Sequence, residues 1–235
     1  MEGRGFFVRN GTLQLRRLFL VIFLLEIGIF VAISSLSIHD DELLSLFRNQ
    51  QQSIVTLSLP DMILEIFPHN LLVATIEFIP VIGQFFFLLS SVETSIIISI
   101  EGTSLHTSGL LVFFSLAILP HTWLELPSYA VATSTSIYLI YLLFKRGQVL
   151  HSNIMKVVYM YMFVVLELVI AGTFESTEIY MSRIYSSPYN IVYPLMLWIA
   201  AAPVIYLLIR LYRRIDRNEY PRKHKKEKED FMQLI

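Results

Sequence analysis

The sequence predicts an all-α polytopic membrane protein of about six transmembrane helices, one of them broken or re-entrant, with both termini on the cytoplasmic side. Three observations predict it. Of 235 residues, 55% are hydrophobic and 16% charged, where a soluble domain carries roughly 25% charged residues. The mean hydropathy is +0.62, and it arises from long apolar runs rather than an even spread. Lys and Arg gather before residue 18 and after residue 209, and none lies between Arg48 and Lys145. A net charge of −1 gives no global basic field for nucleic acid. The chain has no cysteine, which excludes disulfides, thiolate metal centres and cysteine nucleophiles.

A membrane-crossing helix needs about 20 mostly apolar residues. The first candidate is Leu18 to Ile38, after a basic start of Arg4, Arg9, Arg16 and Arg17. It outruns the apolar core of a signal peptide, about 7–15 residues, and so reads as an uncleaved span. Residues 39–53 are polar and acidic. Residues 53–70, interrupted by Pro60 and Pro68, suggest a helix lying at the interface. A second span is expected from Leu71 to Ser90, with Pro80 and Gly83 inside it. Residues 94–144 are long enough for two crossings, but EGTSLHTSG (Glu101 to Gly109), Pro120 and Pro127 interrupt them. Such breaks are tolerated at membrane depth only where backbone is buried in protein or lines a wet cavity, hence the broken helix. The fifth span is Val157 to Phe174 and the sixth Ile191 to Leu211.

Cytoplasmic loops are rich in Lys and Arg. That rule places the N-terminus, the Lys145–Arg146–Lys156 loop and the tail from Arg210 inside, with loops 39–53 and 175–190 outside. The chain divides into a basic cytoplasmic N-terminus (1–17), a membrane domain (18–211) and a charged cytoplasmic tail (212–235). A multi-pass protein of the cell membrane, surrounded by lipid bilayer, is the expectation.

The chemical anomaly is acidic. Glu26, Glu77, Glu125 and Glu167 lie in or near apolar spans. An ionisable residue at the bilayer centre costs about 2.5–3.5 kcal/mol on insertion scales, so four facing lipid would cost on the order of 10 kcal/mol. They are expected to face the bundle interior. Their available partners are His69, His106 and His121, uncharged donors such as Asn70, a proton, or a metal cation. His121 and Glu125, in PHTWLELP, stand four apart and share one helix face, with Pro120 suited to the first turn. That spacing fits two ligands of a Zn-like divalent metal; it equally fits a buried hydrogen bond that fixes helix packing. HExxH, GxSxG, Walker and GxGxxG motifs are absent.

The order of motifs resembles the stage II sporulation protein M family. The residues that carry the resemblance are PHN with LLVA (Pro68 to Ala74), LPHTWLELPSYAVA (Leu119 to Ala132) and ELVIAGTFEST (Glu167 to Thr177). Position by position, the resemblance implies a polar cluster of Asn70, His121, Glu125 and Glu175, with His69 and Thr122 where the family has Asn and Gly. It also implies a non-enzymatic membrane scaffold or assembly subunit with a membrane-protein partner or a second copy of itself. Two other readings stay open. One is an intramembrane metal-dependent hydrolase with His121, Glu125 and Glu175 as ligands and Glu167 activating water. The other is an ion- or proton-coupled transporter, suggested by the intramembrane carboxylates.

Overall fold

The computed structural model describes residues 7–9, 12–145 and 147–217. The outermost parts of the expected basic N-terminus and charged tail, 1–6 and 218–235, lie outside the described residues. A two-stranded antiparallel ribbon, β1 (Val8–Arg9) with β2 (Thr12–Leu13), precedes the helices. The rest is α-helical, and six helical segments are long and apolar enough to cross a membrane. The chain is therefore an all-α polytopic membrane protein.

Helix α1 (Leu15–Ser34) is the first span. Its buried positions Leu15, Leu18, Glu26, Phe30 and Ser34 fall on one stripe, as the 3.6-residue period requires. Helix α2 (Asp41–Val55) follows, capped by Asp40, whose carboxylate accepts from the Leu43 N–H at 2.9 Å. It buries no residue fully. Arg48 ties it to α4 (Ile82–Ser104) through Glu101 at 3.3 Å and Ser104 at 2.8 Å.

The second span differs from the sequence expectation. It is α3 (Leu59–Glu77), not 71–90, and α4 is the third span. Residues 59–70 are therefore part of a crossing rather than an interfacial helix. The reason is a buried stripe, Met62, Ile66, Asn70, Ala74 and Glu77, that runs straight through Pro68. The proline, with Asp61 and Glu65, sits on the exposed face, where its ring removes one helical hydrogen bond without opening the core. Pro80 lies in the turn between α3 and α4, and Gly83 stands at the start of α4. Val81 in that turn has φ 71°, a left-handed value that a β-branched residue rarely adopts. A Cβ on Gly83 would lie 2.0 Å from the Glu77 carbonyl oxygen, so only glycine lets the two helices meet this closely.

Between the third and fourth spans lies the expected break: α5 (Gly109–Ala117), nine residues packed on α1 and α4. Phe113 stacks on Phe30 with centroids 5.4 Å apart. A Cβ on Gly109 would meet backbone of Ser34 and Ser99 at 2.6 Å, so α5 begins in close backbone contact with α1 and α4. The fourth span, α6 (Thr122–Lys145), is the hub: it packs on α1, α3, α4 and α7 (Gly147–Ile184). The core follows it, with Leu124, Val131, Ala132, Tyr138 and Leu142 against Met160, Val164, Leu168 and Ala171 of α7. The sixth span is kinked into α8 (Tyr189–Met196) and α9 (Trp198–Arg217). At the end of the bundle that carries Arg16 and Arg210, Lys156 of α7 binds the Asp216 carboxylate at 2.8 Å.

Candidate functional site

The polar residues singled out by the sequence sit around the N-terminal end of α6, at the end of the bundle opposite Lys156 and Asp216. Pro120 and His121 form the turn just before α6, and the Glu125 N–H donates to the His121 carbonyl at 2.9 Å. The i, i+4 relation thus places His121 and Glu125 on one face, as the spacing implies. The two do not bond to each other. The imidazole Nδ1 of His121 bonds to Oε2 of Glu178, and the His121 backbone N–H donates to Oε1 of the same carboxylate at 3.3 Å. The His121 and Glu178 side chains are 12% and 3% exposed, so this is a buried pair spanning α6 and α7.

Glu178 is the residue that sequence reasoning missed. It lies three residues after Glu175, one turn along α7. Glu175, Glu178 and Glu125 all lie within electrostatic reach of His121. Burial by itself lowers the pKa of this imidazole, but the hydrogen bond to Glu178 and the surrounding carboxylates outweigh it and hold it at about 9. Glu125 accepts a hydrogen bond from the Tyr129 hydroxyl at 2.9 Å. His121 Nε2 stands 3.3 Å from the Thr122 hydroxyl, which donates to the Leu116 carbonyl at 2.8 Å. Both tryptophans frame the turn: Trp123 donates to the Ala117 carbonyl at 2.8 Å and Trp198 to that of Ile118 at 2.7 Å.

Asn70 is buried on α3 at 6% exposure, and its Nδ2 has no hydrogen-bond partner. No hydrogen bond from that amide joins it to His121. Deeper in the bundle, Glu26 and Glu77 are each 1% exposed and Glu167 is 5% exposed. Glu77 receives hydroxyls from Ser90 at 3.4 Å and Thr133 at 3.5 Å. The charges reaching Glu26 are those of Glu77 and Glu125. Along α6, His121, Glu125, Tyr129 and Thr133 recur every four residues, forming a polar stripe that descends from the turn toward Glu77.

The sequence offers His121, Glu125 and Glu175 as ligands of a Zn-like metal. Among the described residues, no group of three or more His, Asp or Glu side chains is arranged to hold a metal ion. Nδ1 of His121 bonds to Glu178 and one oxygen of Glu125 accepts from Tyr129, so a ligand role would fall to His121 Nε2 and the second Glu125 oxygen.

The family whose sequence model matches the chain is described as Stage II sporulation protein M, over residues 18–177. No curated protein and no solved structure matches.

Proposed function

The chain belongs to the stage II sporulation protein M family, whose model spans more than half of its length, and from that premise we propose that it is a membrane scaffold. In this reading it sits in the cell membrane with the His121 turn on the outer side. It holds a membrane-protein partner, or a second copy of itself, in a fixed arrangement and catalyses no reaction. The observation that carries the reading is a buried polar contact between the end of α6 and α7. The His121–Glu178 pair and the Tyr129–Glu125 hydrogen bond use the reactive-looking groups to lock the end of α6. A buried, hydrogen-bonded polar contact fixes the register of packed membrane helices, which suits a rigid platform better than a reaction centre.

The platform's role follows from which helices are locked. α7 is pinned at one end to the start of α6 by His121–Glu178 and at the other to α9 by the Lys156–Asp216 bridge. Arg183 of α7 donates to the Val55 and Leu57 carbonyls, the latter at 2.9 Å, fixing the connection from α2 to α3. A partner docked on this framework inherits its geometry.

Purification of the tagged chain in a mild detergent is the test. A partner protein, or a second copy, should be recovered in fixed proportion. Disruption of the cluster by Glu178→Ala should release it without loss of the chain from the membrane. Recovery of the lone chain with a measurable turnover of any substrate would overturn the proposal.

A further inference from the structure

Span six ends in a charged face that packs on nothing else in the described structure. Tyr206, Arg210, Arg213, Arg214 and Arg217 recur at intervals of four, three, one and three along α9, which places them on one side of the helix. All five are exposed. The opposite side of α9, through Ala201, Leu208 and Tyr212, is the buried one. Phe19 of α1 and Phe163 of α7 pack on the Tyr212 ring at 5.5 and 5.8 Å.

None of the four arginines is paired with a carboxylate among the described residues. Asp216, the acid in the same stretch, is held by Lys156 at 2.8 Å. Arg210 lies over the Tyr206 ring at 5.8 Å, which orients one guanidinium beside an aromatic ring. Tyr206, Ile209 and Leu211 are exposed on the same helix as the four arginines. Along the chain the apolar residues lead and the arginines gather toward the end of the span.

We propose that this exposed face of α9 is a binding site for an anionic phospholipid. The acyl chains lie along the exposed Tyr206, Leu207 and Ile209, and the phosphate is taken by the arginines. The chemistry is specific to the residue type. A guanidinium presents a planar fork of donors that matches two phosphate oxygens at once, and four positive charges on one face favour a headgroup of net negative charge over one whose own ammonium offsets its phosphate. The depth also matches, because headgroups lie where a span ends and basic residues there are attracted to the surface of an anionic leaflet.

The experiment uses the full chain in detergent, titrated with phosphatidylglycerol and, separately, phosphatidylcholine, with binding read by native mass spectrometry and by thermal stability. Phosphatidylglycerol should bind and stabilise, and phosphatidylcholine should not. Each basic residue contributes about 1 kcal/mol near an anionic surface, or about fivefold, so Arg210→Gln with Arg214→Gln should weaken binding about 25-fold. Arg210→Lys with Arg214→Lys should keep the charge and lose only the fork, giving a smaller loss. Should the glutamine variant fail to fold, the salt dependence of the unaltered chain serves, since affinity for a charged headgroup falls as ionic strength rises. Equal binding of the two lipids, binding unaffected by salt or by the glutamine changes, or equally tight binding of soluble glycerol phosphate would each overturn the proposal.

Discussion

Removing the Glu178 carboxylate should strongly destabilise the bundle. Glu178→Ala leaves His121 without its acceptor in a setting where the two side chains are 12% and 3% exposed. It also strips the acceptor from the His121 backbone N–H. Breaking a buried pair by deleting one partner costs about 3–5 kcal/mol. In a chain of this size each kcal/mol moves the melting temperature by about 2–4 °C, so a loss of about 6–20 °C is expected. Intrinsic fluorescence is the natural assay, because Trp123 and Trp198 are both bonded to the turn that the pair secures. The pH response adds a second signature. The folded imidazole titrates at about 9 against an ordinary value of 6.5, so between those values the folded chain binds the extra proton. The pair's contribution is then complete below pH 6.5 and lost as pH rises through about 9. Glu178→Ala should shrink that loss, leaving what Glu175 and Glu125 contribute. A variant within about 1 kcal/mol of the unaltered protein, or one that keeps the same alkaline decline, would refute the reasoning.

Three further outcomes are expected. Glu125→Gln should change stability by less than about 1 kcal/mol, because the amide oxygen still accepts from Tyr129; a joint fall in bound metal and melting temperature would instead reinstate a metal ligand. Gly109→Ala should cost about 1–3 kcal/mol as overpacking, since the new methyl would stand 2.6 Å from Ser34 and Ser99 backbone that cannot swing aside; an unchanged melting curve would contradict that contact. Cysteines placed at Gln50 and Ser186 should react with an impermeant reagent from outside intact cells and one at Gln148 should not; labelling at Gln148 would invert the orientation.

What the sequence reveals depends on whether the information is local. Spans α1, α7 and α9 are legible because each holds a long apolar run, and the α5 break is announced by EGTSLHTSG. Span α3 is obscured because Pro60, Asp61, Glu65 and Pro68 all fall in its first half. The legible clue is the four-residue recurrence of Met62, Ile66, Asn70 and Ala74, which outweighs composition once a partner helix is present. The polar cluster divides the same way. His121 and Glu125 stand out by spacing alone, whereas the choice between Glu175 and Glu178 is not encoded locally. Those carboxylates stand three residues apart on α7, and only the axial offset of α6 against α7 decides which one meets the histidine. The spacing of His121 and Glu125 also suggested one shared ligand, yet each binds a different neighbour.

The central position of α6 has a consequence for how the chain enters the membrane. This span combines a mean hydropathy of 1.3 with two thirds of its best window, 67%, buried inside the bundle, and it carries Glu125 together with the run Thr133–Ser136. Emerging from an insertion channel alone, it would present those groups to lipid, where unsatisfied polar atoms are costly. Its neighbours α1, α3 and α4 are synthesised earlier, but the partner of His121 is on α7, which is synthesised later. The fourth span is therefore expected to wait beside the channel until the fifth has been made, so that the two enter as a hairpin. In a nascent chain whose fourth span has emerged but whose fifth has not, residues of α6 should still crosslink to the insertion channel, and that crosslink should be lost once α7 has emerged.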